Sequence, residues 1–322
     1  MPISGVDCRQ NKNQREITMP YFQIKPGLFL IPLEQKLEGF DTFISSWLYR
    51  SCDLNFLVDP GPLYSIEILK KTLDELEVSH LDYILLTHIH IDHAGGTGKL
   101  LESFPEAKVI CHPQGIPHLI NPAKLWEGSL TVLGEIAQAY GEIVPVAKGS
   151  LVFERIIKKG SHTIEVIETP GHAPHHLSYI FPPYLFAGEV AGVYQSLNDK
   201  IYLRPATPPK FELEISLASL EKLITKQPEI ICFGHYGWNE DGVKILSLAK
   251  NQLELWTKVV KEESITGKKN WENNAIERLM KEDHYFSNYR YLTKDIHTRE
   301  QYFILNAIRG IVEYVNRKHN PS

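Results

Sequence analysis

Thr87-His88-Ile89-His90-Ile91-Asp92-His93-Ala94-Gly95-Gly96 is the stretch that decides the reading of this chain. Four potential metal ligands, His88, His90, Asp92 and His93, fall within six residues. The apolar run Tyr83-Ile84-Leu85-Leu86 leads in and reads as a short buried strand. A strand that stops there throws its ligands onto the loop beyond it, where two glycines let the backbone turn. Imidazole and carboxylate are donors for zinc, iron or manganese. A turn that is merely rich in polar residues rarely carries three histidines and an aspartate at these spacings.

Outward from this loop, the chain alternates. Tyr64 to Val78 predicts a helix, with Ile66, Leu69, Leu73 and Leu76 on one face. Before it, Leu28–Ile31, Thr42–Tyr49 and Asn55–Val58 read as an antiparallel meander. After the loop come a short helix over Gly98 to Phe104 and a buried strand over Lys108 to Cys111. This alternation implies helices layered on a sheet. Residues 112–149 read as an insertion, with Ser129 as the N-cap of a helix to about Tyr140. A second β-rich half follows: His162–Ile167, Leu177–Phe181 and Leu185–Ala187, then a helix over Glu212 to Gln227 and a strand over Glu229 to Phe233. Residues 1–20 read as a flexible extension, 21–240 as the catalytic domain and 241–322 as a helical C-terminal region.

Three further ligand candidates sit at strand ends beside glycine: His172 in Thr169-Pro170-Gly171-His172, Glu189 after Gly188, and His235 after Gly234. Open α/β sheets bind ligands beyond their strand ends. Gathered at one rim, His88, His90, Asp92, His93, His172, Glu189 and His235 suffice for two metals that share a carboxylate and leave room for water. His112 and His118 read as a capped strand end and a surface residue near the same rim. His80, His162, His284, His297 and His319 lie outside any cluster.

These ordered motifs resemble the metallo-β-lactamase superfamily, and within it the glyoxalase II-like hydrolases. The His-x-His-x-Asp-His loop is matched by His88, His90, Asp92 and His93, and the Thr-Pro-Gly-His by Thr169 to His172. Glu189 stands at the bridging carboxylate and Gly234-His235 at the late Gly-His. The resemblance covers residues 21–240 and implies an α/β (α+β) fold, a four-layer αββα sandwich, here with a helical C-terminal extension. It implies two divalent ions, zinc first and iron or manganese as alternatives. One would take His88, His90 and His172, the other Asp92, His93 and His235, with Glu189 and a hydroxide bridging. Asp59 resembles the aspartate that supports the ligand loop; a plain Asp-Pro-Gly turn is the other reading of it. The chain departs from the family twice. The usual bridging Asp is Glu189, one methylene longer, and the loop after His172 adds His175 and His176, which read as supports behind the ligands, substrate contacts or a surface pair.

A metal pair activates water and polarises the scissile bond. The expected function is hydrolysis of an ester, thioester or lactone, with Asp92 or a metal-bound water protonating the leaving group. Phosphodiester hydrolysis by the same pair is the alternative enzyme, and a non-catalytic ligand-binding or signalling protein the alternative class. The substrate is expected to be a small molecule lying against residues 112–149 and the C-terminal helices, among Trp126, Tyr140, Tyr194 and Tyr236. Those helices also carry enough apolar surface to pair two copies. The formal net charge of −5 argues against a nucleic-acid partner. No apolar run is long enough to span a membrane, residues 1–20 lack a signal-peptide pattern, and the widely spaced Cys8, Cys52, Cys111 and Cys232 read as free thiols. A cytoplasmic location is the expectation.

Overall fold

The computed structural model describes residues 20–319; the extension expected over residues 1–20 falls almost wholly outside them. Seven strands form the first sheet in chain order: β1 (Phe22–Lys25), β2 (Leu28–Pro32), β3 (Ser45–Arg50), β4 (Asn55–Val58), β5 (Tyr83–Leu85), β6 (Lys108–Ile110) and β7 (Leu151–Val152). β1 to β4 are the antiparallel meander, and β4 to β7 run parallel. Parallel neighbours require crossovers. These are α1 (Ile66–Glu75) between β4 and β5, then α2 (Ile91–Ala94) and α3 (Thr97–Leu101) before β6, and α4 (Ile116–Ile120), α5 (Ala123–Leu133) and α6 (Glu135–Tyr140) before β7.

The second sheet holds β8 (Ile156–Lys159), β9 (His162–Glu168), β10 (Leu177–Phe181) and β11 (Tyr184–Gly188). A hairpin of β12 (Val193–Leu197) and β13 (Lys200–Arg204) leads to α7 (Leu213–Ile224). The chain then returns as β14 (Ile230–Phe233) parallel to β11, and β15 (Trp238–Asn239) closes the edge. The last layer is α8 (Gly242–Ser264), α9 (Trp271–Glu282) and α10 (Lys294–His319).

Alternation along the strands builds the layers. Leu28, Leu30, Phe56 and Val58 point into the space between the sheets, against Ile164, Val166, Tyr179 and Phe186. Their neighbours Phe29, Ile31 and Leu57 face outward onto Ile66, Leu69 and Leu73 of α1. On the far side Leu185, Ile231 and Phe233 meet Leu220 of α7, Trp256 of α8 and Ile308 and Ile311 of α10. The result is the four-layer αββα sandwich. α8 to α10 share one core with α7 and the second sheet, so the apolar stripe of α10 is buried within its own chain.

One local expectation fails, and one element was missed. Ser129 is not an N-cap: the helix already begins after Pro122, Ser129 Oγ donates to Leu125 O within it, and Gly134 (φ +55°) breaks it before α6. The β12–β13 hairpin was not anticipated, although Asn198-Asp199 at its tip, with Asn198 in the left-handed region, is a legible turn. Among the described residues, no helix is long and apolar enough to cross a membrane. Cys52, Cys111 and Cys232 are unpaired among the described residues, and Cys8 lies outside them.

Candidate metal centre

The ligand loop is an extended strand exit followed by one helical turn. In the extended part Ile89 and Ile91 alternate with the histidines and drop into the core under α1, leaving His88 and His90 on the opposite side. The turn of α2 then carries Asp92 and His93. The Asp59–Gly61 corner clamps this loop: Gly61 N–H donates to His93 O (3.0 Å) and Gly61 O accepts from Gly96 N–H (2.9 Å). Gly61 has φ +82°, a conformation that favours glycine.

All seven ligand candidates converge. Two groups of side chains, His88–His90–His172–Glu189 and Asp92–His93–Glu189–His235, each bring their ligand atoms within 4.8 Å of one another, and Glu189 belongs to both. One oxygen, Glu189 Oε1, lies 3.6 Å from His88 Nε2, 3.3 Å from His93 Nε2, 3.4 Å from His172 Nε2 and 3.3 Å from His235 Nε2. His172 Nε2 is also 3.1 Å from His90 Nδ1. Donors bound tetrahedrally at about 2.0–2.1 Å from an ion lie about 3.3 Å apart, so these separations are those of ligands around a shared cation. His88 Nε2 and His93 Nε2 are buried with no hydrogen-bond partner among the described residues. An orphaned buried lone pair is costly, and a cation satisfies it. The donor set therefore fits divalent metal, and its nitrogen and oxygen atoms accept zinc, iron or manganese alike.

Hydrogen bonds behind the donors set their tautomers. Asp59 accepts Thr87 N–H at Oδ1 (2.8 Å), and at Oδ2 it takes Thr87 Oγ–H (2.6 Å) and His93 Nδ1–H (3.0 Å). With its proton given to Asp59, Thr87 Oγ accepts from His88 Nδ1 (3.0 Å). Both rings are thus left with Nε2 free to bind. Asp59 is buried behind the ligands rather than standing in a simple turn, and its own φ is +51°. Asp59→Ala is expected to weaken metal binding by about 10–100-fold; a chelator-competition titration that gives wild-type affinity would refute this.

His176 supports Glu189 in the same way. Ser178 Oγ donates to Ala187 O (3.1 Å), so it accepts from Thr169 Oγ (2.9 Å), which accepts from His176 Nδ1 (2.8 Å). His176 Nε2 then accepts Glu189 N–H (3.0 Å). A side chain at Gly188 would collide with His176 Nε2, so glycine is required for this approach. His175 sits at the rim, its ring 5.9 Å from that of His90 and its buried Nδ1 unpartnered.

The other two contact candidates do not join the cluster. Tyr194 is buried in the core, stacked on Phe233 at 4.7 Å, with its hydroxyl accepting from Asn239 (3.3 Å). Tyr236 sets its ring edge-on to Phe22 of β1 at 6.4 Å. Tyr140 is buried at the end of α6, and burial together with the Asp92 carboxylate pushes its phenol well up.

Burial and neighbouring histidines hold His88, His90 and His176 well below the usual imidazole value, as neutral rings. Burial and His172 bring His175 down to about 4. For Glu189 burial alone would raise the value, but His172 and His235 outweigh it and hold the carboxyl well below its ordinary range. His93 goes the other way: burial opposes its charge, but Asp92, Asp59 and Glu189 together raise its value well above that of an ordinary imidazole. The surrounding carboxylates demand positive charge at that point.

The comparisons agree with this geometry. The sequence profile described as the Metallo-beta-lactamase superfamily matches residues 39–235. The metallo-beta-lactamase fold-containing protein ST1585 of Sulfurisphaera tokodaii is 32% identical over 191 residues, 57% of this chain and 69% of that one. The hydroxyacylglutathione hydrolase of Hamiltonella defensa is 29% identical over 210 residues, 59% of this chain and 62% of its own length. Among solved structures, ST1585 superposes with a TM-score of 0.69 at 24% identity, covering 89% of this chain and 98% of its own. The metallo-beta-lactamase family protein TTHA1429 of Thermus thermophilus gives 0.64 at 18% identity, covering 92% and 95%. The fold, the converged donor set and the profile match across residues 39–235 lead to one conclusion: the chain belongs to the metallo-beta-lactamase superfamily.

Proposed function

We propose that the protein is a hydrolase with a two-metal centre, acting on an ester, thioester or lactone, and that thioesters head that list. The observation that carries the two-metal reading is Glu189 Oε1, within 3.3–3.6 Å of four imidazole nitrogens drawn from both donor groups. His88, His90 and His172 would hold one ion, Asp92, His93 and His235 the other, and Glu189 both. A bound pair of ions supplies Lewis acidity toward the scissile carbonyl and acidifies water. The thioester preference is supported by the relatives named hydroxyacylglutathione hydrolase, whose named substrate joins an acyl group to a thiol.

The protein's own residues orient and move protons. Asp59 and Thr87 keep His88 and His93 presenting Nε2, and His176 holds the Glu189 backbone in place. Asp92 is the most open of the carboxylates, 15% exposed with Oδ2 3.6 Å from His93 Nε2. It is therefore the group placed to take a proton from the attacking water and pass it to the leaving group. His90 and His172 are also only partly covered, so the centre opens on their side.

The test is a substrate panel of thioesters, acyl lactones, a chromogenic lactam and a bis-nitrophenyl phosphate, run on metal-reconstituted and on chelated protein. Thioester or ester turnover lost on chelation is expected. Turnover of the phosphodiester alone would replace the reading with the phosphodiesterase, and full activity in metal-free protein would end it.

A further inference from the structure

Each donor histidine needs its ring plane fixed as well as its Cβ. A hydrogen bond from the second ring nitrogen usually does this. His88 has Thr87 Oγ, His93 has Asp59 Oδ2, and His172 Nδ1 lies 3.2 Å from Ala206 O. His235 is different: its Nε2 faces Glu189, and its buried Nδ1 has no partner among the described residues. What its ring does have is Phe43, stacked nearly parallel, with centroids 4.1 Å apart and planes 13° from each other. The backbones are joined as well. Tyr236 N–H donates to Phe43 O (3.0 Å), and Ile44 forms an isolated antiparallel bridge with His235.

Phe43 is in turn held from the C-terminal helix. The Arg299 guanidinium lies 4.1 Å from the centre of the Phe43 ring, and Phe303 packs against that ring at 5.4 Å. Arg299 has no freedom to act elsewhere. Its Nη1 donates to Gly39 O (2.6 Å), and its Nε and Nη2 lie 3.2 and 3.1 Å from Glu300 Oε1. A side chain at Gly39 would collide with Asp295 O, so α10 rests directly on this loop. The planar guanidinium suits the stack as a lysine ammonium would not.

We propose that Phe43, backed by Arg299, is the positioning residue for His235, so that α10 supports one donor of the metal centre through an aromatic stack where His88, His93 and His172 use hydrogen bonds. This rests on His235 being a metal donor. It predicts that loss of the stack weakens one metal equivalent selectively, because the supports of His88 and His172 do not involve Phe43.

The experiment titrates zinc into metal-free full-length protein against a chromophoric chelator, for wild type, Phe43→Leu, Phe43→Tyr and Arg299→Met. Two equivalents are expected in wild type. Phe43→Leu should weaken one of them by about 10–100-fold and spare the other. Phe43→Tyr should restore it, and Arg299→Met should shift the same equivalent by less. Should Phe43→Leu fail to fold, Arg299→Met carries the test. A folded variant in which both equivalents weaken alike, or neither does, overturns the inference. If wild type takes up a single equivalent, the two-metal reading falls, and the positioning inference falls with it only if Phe43→Leu leaves that equivalent unchanged.

Discussion

Glu189→Gln is expected to lower kcat/KM by on the order of 10³-fold, about 4 kcal/mol of transition-state stabilisation, and to cut bound metal from two equivalents to one or fewer. The reason is the position of one oxygen. Oε1 sits within 3.6 Å of Nε2 on His88, His93, His172 and His235, and the carboxyl is held ionised well below its usual range. The amide keeps the volume and removes the charge. Cations gathered by the four imidazoles would then have no shared anion between them. Glu189→Asp separates charge from reach. The backbone is pinned by His176 Nε2 at 3.0 Å and by the required Gly188, so the chain cannot move forward to offset the lost methylene. That variant is expected to keep one ion and lose affinity for the second. Elemental analysis with steady-state kinetics decides it; wild-type metal content and rate in Glu189→Gln would remove Glu189 from the bridge.

What the sequence made legible was whatever is local. His88 to Gly96 carries its ligands, its core-directed isoleucines and its turn in ten consecutive residues, and the Gly171-His172, Gly188-Glu189 and Gly234-His235 strand ends follow the same rule. The layers were legible for the same reason, since period-2 alternation and the spacing of Ile66, Leu69 and Leu73 need no distant partner. The supports behind the donors divide along that line. Asp59 was anticipated, at the end of its own strand. Phe43, Arg299 and Glu300 were not, because each acquires its role from a contact with a residue far away in the chain. Tyr194 shows the other side: nearness in sequence to Glu189 does not aim a side chain, and its ring is buried against Phe233. His176 shows why an extra histidine beside a ligand is ambiguous from sequence. Only the Thr169–Ser178–Ala187 chain of hydrogen bonds fixes it as a support for Glu189.

Glu300→Gln is expected to destabilise the fold by about 3–5 kcal/mol at neutral pH, lowering Tm by roughly 5–10 °C. Glu300 is fully buried and is shared by Arg204, whose Nε lies 2.5 Å from Oε2, by Arg299, and by the Tyr202 hydroxyl at 2.7 Å. Burial would raise its carboxyl, but Arg204 and Arg299 overcome this and hold it at about 2 against an ordinary 4.5. That displacement corresponds to about 3 kcal/mol, in line with the cost of leaving two arginines buried beside a neutral amide. Because the folded value lies below the unfolded one, the contribution is complete above about pH 4.5 and is lost as pH falls through about 2. Glutamine carries no charge at any pH. The gap between wild type and variant should therefore be full at pH 7 and narrow as pH falls from 4.5 to 3. Urea unfolding across that range measures it, and a gap that is the same at pH 7 and pH 3 would show that the loss comes from packing rather than charge. The same variant loosens Arg299, which backs Phe43 and through it His235. Glu300→Gln should therefore weaken the His235-side metal equivalent even at temperatures where the protein remains folded, tying the buried ion pair of the C-terminal helix to the chemistry at the opposite end of the stack.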